Sequence, residues 1–190
     1  MSADERLEWE RRYGEVGYQP EWEPSPLLAE WVLRLPRGRA LDLACGAGRN
    51  ALYLASQGYQ VDAVDIAASA LTLGRQRAAD KGLSVNWIQA DLDTYVLPPN
   101  TYDVIVVSFY MNRALAPALV TVLKPGGVLV YEHHLRVPGA VEGPRNPEHR
   151  FAPGELPRLF SSLQVLHYAE ETHREAERVA AYARLVARKP

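Results

Sequence analysis

The chain has one cysteine, Cys45, two methionines and three phenylalanines among its 190 residues. A single thiol cannot close an internal disulfide, so packing must hold the fold, and this usage fits a reducing compartment. Charge of one sign is also scarce. The formal net charge is −2, which leaves no basic footprint for nucleic acid. No apolar run approaches the roughly 20 residues of a membrane span, and the acidic N-terminus does not resemble a signal peptide. Together these absences predict a cytoplasmic protein with neither membrane nor nucleic-acid partners. With 47% hydrophobic residues the chain has material for one substantial core, and neither an internal repeat nor a composition break divides residues 1–190.

What is present is organised around Ala40–Leu54, ALDLACGAGRNALYL. A short apolar run carries Asp42, passes through small residues (Ala44, Cys45, Gly46, Ala47, Gly48) and enters a helical pattern at Asn50. This reads as strand, tight loop and helix N-terminus. Glycines there let backbone approach a ligand, and the free N–H groups of a first helical turn favour electron-rich atoms. Gly46, Gly48 and Ala51 also satisfy the dinucleotide pattern G-x-G-x-x-[G/A], with Asp65 nineteen positions beyond Gly46. Asp42 argues against a dinucleotide, because an acid two residues before the turn would face a pyrophosphate. It suits a ligand with an ammonium group, and S-adenosylmethionine has an ammonium, a ribose, an adenine and no phosphate.

Flanking patterns predict an α/β fold. Ser2–Tyr13 is charged and helical, followed by a Pro- and aromatic-rich segment to Pro26. Ser25 caps a helix beginning at Pro26. Strands are expected at 40–43, 59–64, 85–89, 103–107 and 128–131, alternating with helices at 50–58, 69–80 and 114–123. Such alternation implies a mostly parallel, Rossmann-like sheet with helices on both faces. Lys124–Gly127 reads as a turn, 137–153 as a long loop of the kind usually kept for function, and 153–161 as a short helix. Two last strands, 163–169 and 180–187, joined by the charged segment 170–178, suggest a C-terminal antiparallel hairpin and seven strands in all.

Asp42-Leu43-Ala44-Cys45-Gly46-Ala47-Gly48 resembles the first motif of class I S-adenosylmethionine-dependent methyltransferases, acid-x-Gly-x-Gly-x-Gly, with Ala44 replacing the first glycine. The wider string CGAGRNALYLASQGYQVDAVDI resembles the tellurite-resistance and thiopurine-like methyltransferases, small single-domain members of that class. The resemblance implies S-adenosylmethionine as cofactor, no metal and a small-molecule acceptor. It also implies that an N-terminal segment, here 1–25 with Trp9, Arg12 and Tyr13, folds over the cofactor as a lid. An amphipathic helix packed beside the sheet would explain the same residues.

Ligands of open α/β sheets sit beyond the carboxyl ends of the strands. Asp42 would receive the amino group, directly or through water. Ala44, Cys45, Gly46 and Gly48 would admit the cofactor, with Arg49, Asn50 and Ser108 beside its methionine end. Asp65 would accept two ribose hydroxyls, Ile66 and Leu92 would flank adenine, and Asp91 would accept its amine. Singly, Asp65 and Asp91 are equally readable as helix-cap or turn acids, and Cys45 as a small turn residue. The acceptor should lie beyond strands four and five, where Tyr110 is a catalytic candidate and Tyr13, Arg113, His133 and Arg150 are substrate-binding candidates. By resemblance, His173 is a proton acceptor and Arg174 and Arg178 bind an anionic substrate, whereas a solvated hairpin tip is the alternative. Soft acceptors such as thiolates or reduced chalcogen species would need little base catalysis. Two other classes share these features: a nicotinamide-dependent oxidoreductase and a non-catalytic cofactor-binding module.

Overall fold

The computed structural model describes residues 3–139, 141–175 and 178–190. Seven strands form one sheet in the order β3-β2-β1-β4-β5-β7-β6. They are β1 (Arg39–Leu43), β2 (Gln60–Asp65), β3 (Asn86–Gln89), β4 (Tyr102–Ser108), β5 (Leu123–His134), β6 (Gln164–Glu175) and β7 (Arg178–Arg188). The first five pair in parallel, and β7 runs antiparallel to both β5 and β6. Because β1 lies between β2 and β4, the chain reverses its direction of travel there and opens a crevice at the strand ends.

The helices are α1 (Ala3–Gly14), α2 (Pro26–Trp31), α3 (Arg49–Ser56), α4 (Ala68–Asp80), α5 (Ala116–Val122) and α6 (Glu155–Leu159). The middles of the central strands are nearly continuous apolar runs, and alternate residues enter opposite layers. Leu41, Leu43, Ile105, Val107, Leu129 and Tyr131 meet α5 and α6 through Leu119, Leu156 and Phe160. Ala40, Val104, Val106, Val128 and Val130 meet α2, α3 and α4 through Leu28, Leu54 and Leu71. Ser25 caps α2, its Oγ accepting the Leu28 N–H at 3.2 Å, and Gly58 ends α3 with φ +87°.

Three expectations change. Lys124–Gly127 is not a separate turn: β5 starts at Leu123, pairs with Tyr102, and shifts register before Val104 meets Val128, so these residues form a bulge. The segment expected as a helix at 114–123 begins with a 3-10 turn at Arg113–Leu115. The charged stretch 170–178 is not a loop either, since β6 runs to Glu175 and β7 starts at Arg178, making one long hairpin. Its alternating polar residues sit at a sheet edge, where one strand margin faces water and charge is tolerated. Among the described residues, no helix is long and apolar enough to cross a membrane.

Candidate functional site

Leaving β1, the chain turns through three left-handed residues, Ala44 (φ +54°), Gly46 (φ +55°) and Gly48 (φ +83°), before α3. Two are glycines, for which this region is open. Ala44 adopts it against its Cβ, at about 1 kcal/mol. Asp65, at the end of β2, stitches this turn to the next. Its Oδ2 accepts the Gly46 N–H at 2.7 Å and its Oδ1 the Ala67 N–H at 2.9 Å. Asp42 is 2% exposed, and its Oδ2 accepts the Ala51 N–H of α3 at 2.8 Å. Burial pushes the Asp42 carboxyl up to about 7, against the opposing pull of that N–H and of Arg49. Burial likewise raises Asp65, opposed by its two N–H donors.

The glycines serve different neighbours. A Cβ on Gly46 would stand 2.4 Å from the Tyr13 hydroxyl, whereas a Cβ on Gly48 would stand 2.3 Å from the Trp87 ring. Gly46 lines the central cavity, but Gly48 does not, so its expected role in admitting a cofactor gives way to Trp87 packing. Gly74 in α4 faces the same ring, with a Cβ position 2.5 Å from Trp87 and 2.8 Å from the Ala47 carbonyl. A glycine inside a helical pattern was the sequence signal for this close approach.

Helix α1 lies across the glycine loop. Glu10 accepts the Ala68 N–H at 2.7 Å and the Ser69 N–H at 3.0 Å, capping α4 from 58 residues away in place of Ala67, which cannot. Tyr13, stacked on Trp9 at 6.0 Å and edge-on to Tyr18 at 5.3 Å, then rests over Gly46. Burial raises its hydroxyl, and the Asp65 charge adds to this.

The cavity beneath measures about 810 Å³, within the usual range of small-molecule sites. Of the residues singled out from sequence, it is lined by Tyr13, Asp42, Ala44, Cys45, Gly46, Arg49, Asn50, Asp65, Ile66, Leu92, Ser108 and Tyr110. Asn50 is buried and braces the wall, its Oδ1 accepting the Ser25 N–H at 2.8 Å and its Nδ2 donating to Ser108 Oγ at 3.1 Å. Arg49 pairs with Glu21. Cys45 is buried, its thiol pushed up by burial. Asp91 stands outside the lining, and its Oδ1 accepts the Asp93 N–H in an Asx turn.

Several substrate candidates point elsewhere. Arg113 binds Glu155 and donates to the Glu148 and Arg150 carbonyls. Arg150 is buried and donates to the carbonyls of Pro144, Val141 and Glu142 at 2.9–3.0 Å, which shapes the 137–153 loop from inside. His133 is also buried, its Nε2 2.9 Å from the His149 carbonyl and its titration lowered to about 4 by burial. None of the three lines the cavity, because each is committed to fixing backbone. His173 is exposed, 3.2 Å from Glu171, and also lies outside the lining. The side chains of Arg174 and Arg178 fall outside the described residues. Among these residues no cluster of His, Cys, Asp and Glu is arranged to hold a metal.

The far end of the cavity is made by Phe109 and His134, which follow the two strands expected to frame the acceptor, by Gly143, Pro144 and His149 of the 137–153 loop, and by Tyr182, to which nothing in the sequence assigned a role. Strand register brings His134 opposite Tyr182, a pairing between segments almost fifty residues apart that no local motif announces.

The cavity also discriminates between nucleotides. A dinucleotide pyrophosphate needs the first-turn amides of α3, yet the Ala51 N–H is already taken by a buried carboxylate. That carboxylate, with lone pairs left over, suits a cationic amine, so the rim fits S-adenosylmethionine and opposes a diphosphate. Residues 40–127 match a family model described as "Methyltransferase domain". Fold, rim and matched stretch together resemble those of class I S-adenosylmethionine-dependent methyltransferase domains.

Within that class, the chain superposes on TehB from Haemophilus influenzae with a TM-score of 0.77 at 19% identity, covering 95% of this chain and 67% of that one. In sequence it is 33% identical to a ubiquinone/menaquinone biosynthesis C-methyltransferase UbiE from Shewanella piezotolerans, over 50% of this chain and 42% of the relative. It is 36% identical to a ribosomal RNA small subunit methyltransferase C from Alcanivorax borkumensis, over 48% and 31%. The chain thus spans less than half the length of these curated relatives.

Proposed function

We propose that this chain transfers the methyl group of S-adenosylmethionine to a small-molecule acceptor, with a soft nucleophile such as a thiol or reduced chalcogen as the leading class. The observation that carries this reading is a cleft of about 810 Å³ with a carboxylate rim at one end and a ring-lined wall at the other. When bound, the sulfonium supplies an already activated methyl group, so the protein has to bind, align and keep water away. Asp42 holds the amino group through the lone pairs that Ala51 leaves free. Asp65 accepts ribose hydroxyls with its remaining lone pairs while its two amide bonds keep it aimed. Ile66 and Leu92 flank the base, and Asp91, held by its Asx turn beside the lining, accepts the amine with its remaining lone pairs. Residues 1–25 act as a lid within a single domain, with Tyr13 over the glycine loop and Glu10 as its fastening.

Tyr110, in the wall, remains a candidate for contact with the acceptor, and His173 would have to swing inward to take a proton. The small-molecule size of the cleft, about 810 Å³, and the net charge of −2 favour a small molecule over RNA. Methylation at carbon or oxygen of a ring is a second reading, supported by the aromatic wall. Calorimetry with S-adenosylhomocysteine and with NADH tests the donor, and the former alone is expected to bind. Labelled S-adenosylmethionine offered with thiols, selenite, tellurite, phenols, quinols and ribosomal RNA tests the acceptor. Tight NADH binding, or label entering only RNA, would overturn the proposal.

A further inference from the structure

Phe109 sits at φ +56°, a left-handed conformation that strains a non-glycine residue, and its side chain is 40% exposed. Strained residues of this kind persist where the surroundings hold them, and they gather at binding sites. Here Ser108 ends β4, the Phe109 N–H donates to the Glu132 carbonyl at 3.0 Å, and the ring joins the cavity wall. It lies 5.2 Å from His134 and 5.8 Å from Tyr182, which are 5.6 Å from each other.

The other two rings are also held from behind. His134 packs against Gly143, where an added Cβ would stand 2.4 Å from the imidazole. Its Nδ1 is buried without a hydrogen-bond partner, and burial lowers its titration to about 4, so the ring is neutral near pH 7. The Arg184 guanidinium lies 5.5 Å from the Tyr182 ring centroid, gripped by Glu171 and by the buried Glu132. Cations lining the cavity are otherwise engaged among the described residues. Arg49 pairs with Glu21 and lies 5.7 Å from the Phe109 ring centroid, and Arg12, on the lid, lies over Trp9.

Resting on the donor reading above, we propose that Phe109, His134 and Tyr182 form the acceptor-binding surface and select an uncharged molecule with a flat, polarizable face over an inorganic oxyanion. Three rings, with the adjacent Arg49 already paired to Glu21, offer dispersion and ring contacts, whereas an oxyanion would lose its hydration beside a cation that must first give up its carboxylate.

The test uses the S-adenosylhomocysteine complex, with binding followed by saturation-transfer NMR and turnover by labelled S-adenosylmethionine. The probes are uncharged phenols and thiols against selenite and tellurite. Phe109→Gly is the informative variant, since it removes the ring while relieving the left-handed strain and therefore folds. The expected result is contact with uncharged probes only, weakened about tenfold in Phe109→Gly and in Gly143→Ala, with S-adenosylhomocysteine affinity within about twofold of wild type. Preference for the oxyanions, absence of contact with every uncharged probe, or unchanged binding in both variants would overturn the inference. Failure of S-adenosylhomocysteine itself to bind would instead overturn the donor reading.

Discussion

The two ends of the cavity are built on different principles. The donor end is made largely of backbone: consecutive residues between Asp42 and Ala51 turn through three left-handed conformations, and Asp65 ties the turn down by two amide bonds. The end proposed to take the acceptor is made of side chains from the residue after β4, from β5 and β7, and from the 137–153 loop, each supported by something distant in sequence. A site made of local backbone must write its requirements into neighbouring residue types. A site made of side chains needs only the register that gathers them.

The largest expected effect separates packing from ligand binding among the glycines. Gly48→Ala should cost about 3 kcal/mol in urea unfolding, from overpacking against Trp87 and left-handed strain. The overpacking share should return when Trp87→Leu is combined with it, while the left-handed strain remains. A stable Gly48→Ala protein that has lost only S-adenosylhomocysteine binding would make this glycine part of the donor end.

Arg150→Met should cost about 2–3 kcal/mol, because it strands buried carbonyls of the 137–153 loop. It should leave donor affinity unchanged. A stable variant with a raised acceptor KM would instead return Arg150 to substrate binding.

Asp42 gives the pH dependence. Its folded value, about 7, lies above the ordinary carboxyl value of 3.8, so the folded protein keeps a proton that the unfolded chain releases. Its contribution to stability is therefore fully present below about pH 4 and is lost as pH rises through about 7. A cationic amine needs the charged form, so S-adenosylhomocysteine affinity should rise with pH across 6–8 and then level. Asp42→Asn should flatten both trends and weaken binding at pH 8 by about tenfold or more, the worth of a charge-assisted hydrogen bond. A pH-independent affinity in wild type would remove Asp42 from the amino-group contact.

The smallest effect concerns Ala44. Replacing it by glycine should stabilise the protein by about 0.5 kcal/mol, the relief of its φ +54° offset in part by the extra freedom of an unfolded glycine. Unfolding that shows a loss instead would mean that the methyl group packs usefully.

The same contrast explains what the sequence disclosed. The mostly parallel sheet and its two helical layers followed from the alternation of continuous apolar runs with helical patterns, because burial on two faces leaves no choice of residue class. The β1 turn was legible because only small residues fit it. Arg113, Arg150 and His133 were misplaced because a charged residue beside a site looks the same in sequence whether it faces a ligand or a carbonyl, and only the hydrogen bonds distinguish the two. Tyr182 carried no signal at all. Its place depends on β7 pairing with both β5 and β6, which sets it between His134 and Glu171.

The capping of α4 by Glu10 makes two amides into a clock for the entrance. Any departure of α1 leaves the N–H groups of Ala68 and Ser69 bare to water, so their deuterium uptake counts openings that the surrounding sheet does not feel. A molecule that shuts the entrance from within would slow those two amides first, reporting its arrival from outside the chamber it fills.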